Sequence, residues 1–266
     1  MKYIFTSCVL WAIASTSQAA IVFSEINAFG ASMAVNNPTL FTNGNAYVDY
    51  LASDLDITTI NNSAAGGDKH TEILSQINTF ISNSGGILDS NALYVIGVTI
   101  DFQQSLSLQA DTFASGIEAL HNAGAQYILA PNAHDFSMLP LVPAESKAAV
   151  QSLTLSFNSL YAIAISGLGF SVVEADFFSV YSTIAASPGN FGISNLTDPC
   201  FDSGITCANP DSYFFWDTVH PTTVVHRELA NELTMQVSNV PIPTAAWLFG
   251  SALIGLAALK RQNQAA

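Results

Sequence analysis

A serine near the start of the chain and an aspartate-histidine pair near its end have the types and spacing that could do chemistry. Ser32 lies in Phe29-Gly-Ala-Ser-Met33, directly after a short apolar run at 26–29. A hydroxyl at a tight strand-to-helix turn is exposed at the edge of a sheet, and its own backbone N–H is free to bind an oxyanion. Gly-x-Ser alone is a weak signal, because serine is also an ordinary helix cap. The second feature is Phe215-Trp-Asp-Thr-Val-His-Pro-Thr222, which sets Asp217 three residues ahead of His220. A histidine so placed can accept the proton of a hydroxyl nucleophile, while the carboxylate holds the other imidazole nitrogen and stabilises the imidazolium. His70, His121 and His134 have no such context and read as solvated or core groups.

The elements that must bring these residues together can be read from the periodicity. Short apolar runs at 26–29, 92–96, 127–131 and 171–175 alternate with helical patterns at 46–55, 73–81, 113–123 and 148–168, and a last helix is expected over 225–235. Strands alternating with amphipathic helices predict an α/β fold: a three-layer α/β/α sandwich around a central parallel sheet, in a single domain over 21–238. In such sheets function lies beyond the carboxyl ends of the strands. Residues 185–213, rich in Ser, Gly, Asn, Asp and Pro, read as one long loop ahead of the Asp217 cluster.

On these blocks the chain resembles the GDSL (SGNH) serine hydrolases. Phe29 to Met33 is similar to the Phe-Gly-Asp-Ser-Leu block that names the family, with Ser32 at the nucleophile position. Phe41-Thr-Asn-Gly44 and Tyr47-Val-Asp-Tyr-Leu-Ala52 resemble the segment that follows the nucleophile in longer members. Asn62-Ser-Ala-Ala-Gly-Gly67 resembles the second block, whose glycine, here Gly67, offers a backbone N–H to the oxyanion. The octapeptide ending at Thr222 reproduces the Asp-x-x-His block, and His226 and Ala230 fit the helix after it. The resemblance implies an SGNH fold and an acyl-enzyme mechanism on an ester substrate, with Ser32, Asp217 and His220 catalytic, Ser32 and Gly67 in the oxyanion hole, and no metal or cofactor.

The chain also departs from the pattern. The third block carries an asparagine as a further oxyanion donor, and here Ile100 stands in its place within Leu93-Tyr-Val-Ile-Gly-Val-Thr-Ile-Asp-Phe102. Thr99 could supply a hydroxyl if the loop shifts by one residue. Ala31 replaces the aspartate before the nucleophile, and Ala34 and Val35 replace Ser-Asp after it. Loss of one oxyanion donor costs about 10²–10³ in turnover. Two readings therefore stand: an exported serine esterase that is slow, or a non-catalytic surface or matrix protein on the same fold.

Both ends read as targeting segments. Lys2, an apolar stretch and Ser17-Gln18-Ala19 have the layout of a signal peptide over 1–20. Val240-Pro-Ile-Pro243 followed by an apolar run to Leu259 and then Lys260-Arg261 resembles a PEP-CTERM sorting signal over 239–262, which implies an exosortase as partner. As a helix the 18 residues from Ile242 to Leu259 would reach about 27 Å, close to the hydrocarbon thickness of the inner membrane. The expectation is export, anchoring through this helix, and passage to the cell surface or medium. With 20 acidic and 6 basic residues and a net charge of −14, the composition argues against nucleic acid as a partner, since phosphate binding needs a basic patch. Cys200 and Cys207 form an even pair in an exported chain, which favours a disulfide; a metal site is the weaker alternative.

Overall fold

A computed structural model of the protein describes residues 21–37 and 40–239. The signal-peptide and sorting-signal segments lie outside the described residues. Five strands, β1 (Ile26–Phe29), β2 (Ile60–Asn62), β3 (Leu93–Ile96), β4 (Tyr127–Pro131) and β5 (Val173–Ala175), form one sheet in the order β2-β1-β3-β4-β5. Every pairing in it is parallel. All residues of β1 and β3 are buried, as strands covered on both faces must be.

Six helices cover the sheet: α1 (Tyr47–Asp54), α2 (His70–Asn83), α3 (Leu106–Asn122), α4 (Lys147–Ser166), α5 (Phe177–Ala186) and α6 (Thr223–Ser238). Helices α2, α3 and α4 pack side by side on one face, and α1, α5 and α6 on the other. Alternation along the strands feeds the two layers separately. On β3, Tyr94 and Ile96 join Ile73, Ile77, Phe113, Ile117, Phe157 and Tyr161 in the first core cluster, while Leu93 and Val95 are equally buried but stand outside it. The architecture is thus the expected three-layer sandwich in a single domain.

Several local expectations need correction. Helix α3 begins at Leu106, seven residues ahead of the expected 113, because Ser105 caps it by accepting from the Leu108 amide. Helix α5 and edge strand β2 were not legible: β2 is a polar Ile-Asn-Asn with two exposed residues, so it carries no apolar run. The stretch 185–213 is not one loop. It contains β6 (Asn195–Pro199), a small hairpin of β7 (Phe201–Asp202) and β8 (Ile205–Thr206), and it ends where β9 (Tyr213–Phe215) begins and pairs in parallel with β6. Cys200 and Cys207 are joined by a disulfide across this hairpin. Closing so short a loop contributes about 2–3 kcal/mol by restricting the unfolded chain.

Candidate active site

The order β2-β1-β3 reverses direction beside β1, and a cleft opens there beyond the carboxyl ends of the strands. Ser32 follows β1 on a single turn of 3-10 helix, Ser32–Ala34. Gly67 follows β2, and Thr99 and Ile100 follow β3. All four line one open cleft of about 410 Å³ with Ala31, Asp68, Lys69, Asp101, Phe102 and Gln103.

His220 and Asp217 come from a tight turn between β9 and α6. The turn is closed by the Trp216 amide donating to the His220 carbonyl at 2.8 Å. Asp217 Oδ1 accepts from the backbone amides of Val219 and His220, each at 2.7 Å, and Oδ2 faces His220 Nδ1 at 2.7 Å. This division of labour explains the three-residue spacing: one oxygen builds the turn and the other holds the ring it presents. An ionised carboxylate can only accept, so Nδ1 carries the proton and Nε2 is left to accept from Ser32 Oγ, 2.7 Å away. Burial pushes the Asp217 carboxyl upward, but the hydrogen bond and charge of His220, with the two amides, outweigh it and hold it below the ordinary carboxylate range. Asp217 therefore remains an anion.

The segment resembling Phe-Thr-Asn-Gly supports this histidine. The Phe41 ring lies 5.0 Å from the His220 ring and is seated on Gly66, where a Cβ would come within 2.5 Å of Phe41 Cζ. Asn43 Oδ1 accepts from the Thr223 amide at 2.7 Å, capping α6 from outside, and Tyr50 Oη shares a 2.8 Å hydrogen bond with Thr223 Oγ1. Gly67 has φ +86, a backbone that other residues rarely adopt, and it turns the chain toward the cleft. Neither the Ser32 nor the Gly67 amide is spent on a backbone hydrogen bond.

Ile100 is 8% exposed, and although it borders the cleft it belongs to the core cluster beneath α3. Thr99 makes no hydrogen bond among the described residues. Lys69 Nζ pairs with Asp101 Oδ2 at 2.7 Å and so joins the walls that follow β2 and β3. Three supporting residues went unread in the sequence: Asn43, Asn62, whose Nδ2 donates to the Ala34 carbonyl at 2.7 Å, and Gln76 on α2, which bonds Gly30 and Asp68. Nothing but their place within the resembling blocks, or one helix turn past them, could have flagged them. Among the described residues, no group of three or more His, Cys, Asp or Glu converges to hold a metal ion.

His134 and His226 are buried behind the site, at 5% and 1% exposure. Burial lowers His134 to about 3, with the charge of His220 adding to this and Asp135 opposing it; burial, then the charges of His220 and His134, lowers His226 to about 3. Both rings are neutral in the fold, whereas in the unfolded chain they titrate near 6.5. Unfolding therefore takes up protons below that pH. The stability carried by the neutral rings is present above about pH 6.5 and is lost as the pH falls toward 3. The expected result is a melting temperature that drops by about 5 °C per unit between pH 6 and 4. Calorimetry that gives a flat profile over this range would contradict the assignment of both rings as neutral.

Comparison with known proteins agrees with this geometry. Thermolabile hemolysin of Vibrio parahaemolyticus is 19% identical over 235 residues, 75% of this chain and 56% of that protein. A GDSL esterase/lipase of Arabidopsis thaliana is 23% identical over 239 residues, 76% of this chain and 63% of that protein. The chain thus spans less than two thirds of the length of these two relatives. Two solved structures share the fold. An acetylxylan esterase from Geobacillus stearothermophilus, in a catalytic mutant, gives a TM-score of 0.57 at 10% identity and covers 84% of this chain and 99% of that one. A member of the lipolytic G-D-S-L family from Veillonella parvula gives 0.56 at 12% identity, covering 82% of this chain and 100% of that one. A family model described as GDSL-like Lipase/Acylhydrolase matches residues 25–233. That match takes in β1 with its serine, the turn with its histidine, and every strand between them, and the chain belongs to the GDSL lipase/acylhydrolase family.

Proposed function

We propose that the protein is an exported carboxylic ester hydrolase that works through an acyl-enzyme. The observation that carries this is the unbroken line Ser32 Oγ, His220 Nε2, His220 Nδ1, Asp217 Oδ2, with both contacts at 2.7 Å and its serine end open to the cleft. Ser32 gives its proton to His220 as Oγ bonds to the ester carbonyl carbon. The oxyanion formed is held by the Ser32 and Gly67 amides, and the imidazolium is stabilised by Asp217. Collapse breaks the ester C–O bond, and His220 returns the proton to the leaving alcohol. Water, deprotonated by His220, then releases the acid and restores Ser32. The ester functions named in the relatives, plant esterase/lipases and an acetylxylan esterase, support lipid, small or glycan esters as the substrate class.

Export is supported by the layout of residues 1–20 and by the Cys200–Cys207 bridge, which suits an oxidising compartment. The tail from Val240, resembling a PEP-CTERM signal, supports anchoring in the inner membrane and handling by an exosortase. A non-catalytic binding role is the second reading, and it is favoured by one observation: Ile100 puts an apolar side chain at the border of the cleft where the family has a donor.

Replacement of Ile100 by asparagine separates the two. Wild-type protein is expected to hydrolyse short-chain p-nitrophenyl esters slowly, and Ile100→Asn to raise turnover by about tenfold or more, part of what one donor supplies. Because Ile100 packs in the core, the variant should lose about 1–3 kcal/mol of stability. A folded variant with no turnover, together with a wild type that a fluorophosphonate fails to label at Ser32, sinks the esterase reading in favour of the binding one.

A further inference from the structure

The two oxyanion amides sit on separate turns, one after β1 and one after β2; Asn62 at the end of β2 bonds Ala34 and Ala64, and one side chain from outside both turns joins them nearer the two amides. Gln76 on α2 accepts from the Gly30 amide through Oε1 at 3.0 Å and donates from Nε2 to the Gly30 carbonyl at 3.0 Å. The same Nε2 donates to Asp68 Oδ2 at 2.7 Å. Gly30 is two residues before Ser32, and Asp68 is the residue after Gly67. A glutamine carboxamide offers two N–H donors and an acceptor oxygen, and here both ends are engaged. Its orientation is therefore fixed, because reversing it would set N–H against N–H at Gly30. The Gly30 carbonyl also accepts from the Ala65 amide at 3.1 Å, so the two turns already touch along one edge.

We infer that Gln76 is a positioning residue of the esterase site, setting the separation of the Ser32 and Gly67 amides. The inference rests on the esterase reading above. It follows from the chemistry of this particular site: with Ile100 at the donor position, the two backbone amides carry the oxyanion, and any error in their spacing falls directly on the transition state. The Lys69–Asp101 pair cannot do this work, because half-exposed Lys69 joins the wall after β2 to the one after β3 and makes no bond to the turn that carries Ser32. Gln76 is partly buried and bonds both turns.

Gln76→Met keeps the length of the side chain and removes its hydrogen bonds. It is expected to lower kcat on p-nitrophenyl acetate 10- to 100-fold with KM within twofold of wild type, and to slow fluorophosphonate labelling of Ser32 in parallel. Gln76→Glu sets a carboxyl against Asp68, so it is repelled when ionised and able to donate again when protonated. The ratio of its kcat to that of wild type should rise as the pH falls from 8 to 5, a dependence that general destabilisation would not produce. If wild type is active and Gln76→Met keeps kcat within twofold, the inference is overturned. Should Gln76→Met fail to fold, a Gln76→Glu ratio that is constant with pH overturns it instead. An inactive, unlabelled wild type overturns the esterase reading and the inference with it.

Discussion

Ser32→Ala is expected to abolish fluorophosphonate labelling and to reduce ester hydrolysis by at least about 10⁴-fold, the scale on which triad nucleophiles act. Ser32 Oγ is the hydroxyl hydrogen-bonded to His220 Nε2, and no other described hydroxyl reaches that nitrogen. Removing it leaves the cleft, the Ser32 and Gly67 amides and the histidine turn in place. The melting temperature should therefore stay within about 1 °C of wild type, since a partly exposed hydroxyl at a cleft carries little folding energy. Intact-mass measurement after labelling decides the matter: an adduct that persists in Ser32→Ala would place the nucleophile elsewhere.

Asp217→Asn should cost about 10⁴ in kcat for a different reason, the wrong tautomer. Asparagine can still accept the Val219 and His220 amides through its oxygen, so the turn survives. Its NH₂ would then face His220 Nδ1, which must accept. The ring proton moves to Nε2, which then donates to the Ser32 hydroxyl and can no longer take its proton. Asp217→Ala loses the turn as well and should lower the melting temperature besides kcat. Steady-state kinetics of the two variants with calorimetry check this, and a loss of less than tenfold in Asp217→Asn would remove the aspartate from the mechanism.

Both ends of this relay were legible in the sequence because local chemistry dictates them. Asp217 and His220 lie on one turn whose hydrogen bonds require their spacing, and Ser32 follows a strand whose four residues are all buried. The strands that could be read, such as Leu93–Ile96, are covered on both sides, so they show as apolar runs. What was hidden depends on contacts between distant segments. Strand β2 forms because Glu25, Asn27 and Asn61 hydrogen-bond across the edge of the sheet, a polar arrangement with no periodic signature. Gln76 reads as one more polar residue on an amphipathic helix, and its partner Gly30 is 46 positions away. The pairing of β6 with β9 was masked by the turn-forming residues between them, which suggested a loop and in fact make a hairpin.

The disulfide has a consequence for how the backbone ahead of Asp217 opens. Its half-cystines lie seven positions apart, so the bridge withdraws only a short length of chain from the unfolded ensemble, and its larger effect is local. The Cys200 amide donates to the Phe215 carbonyl and the Phe201 amide to the Trp216 carbonyl, while the Phe201 and Trp216 rings stack 5.3 Å apart. The hairpin is thereby sutured to the two residues that lead into Asp217. Any transient opening of that backbone must carry a cross-linked unit with it, which raises its cost toward that of global unfolding. The opposite wall, residues 99–104, has an exposed Phe102 at its rim, is tied to Gln109 of α3 through the Asp101 amide and carbonyl, and meets the facing wall through the Lys69–Asp101 pair. In the language of amide exchange, the Cys200 and Phe201 amides are expected to exchange with the slow-opening unit of the fold.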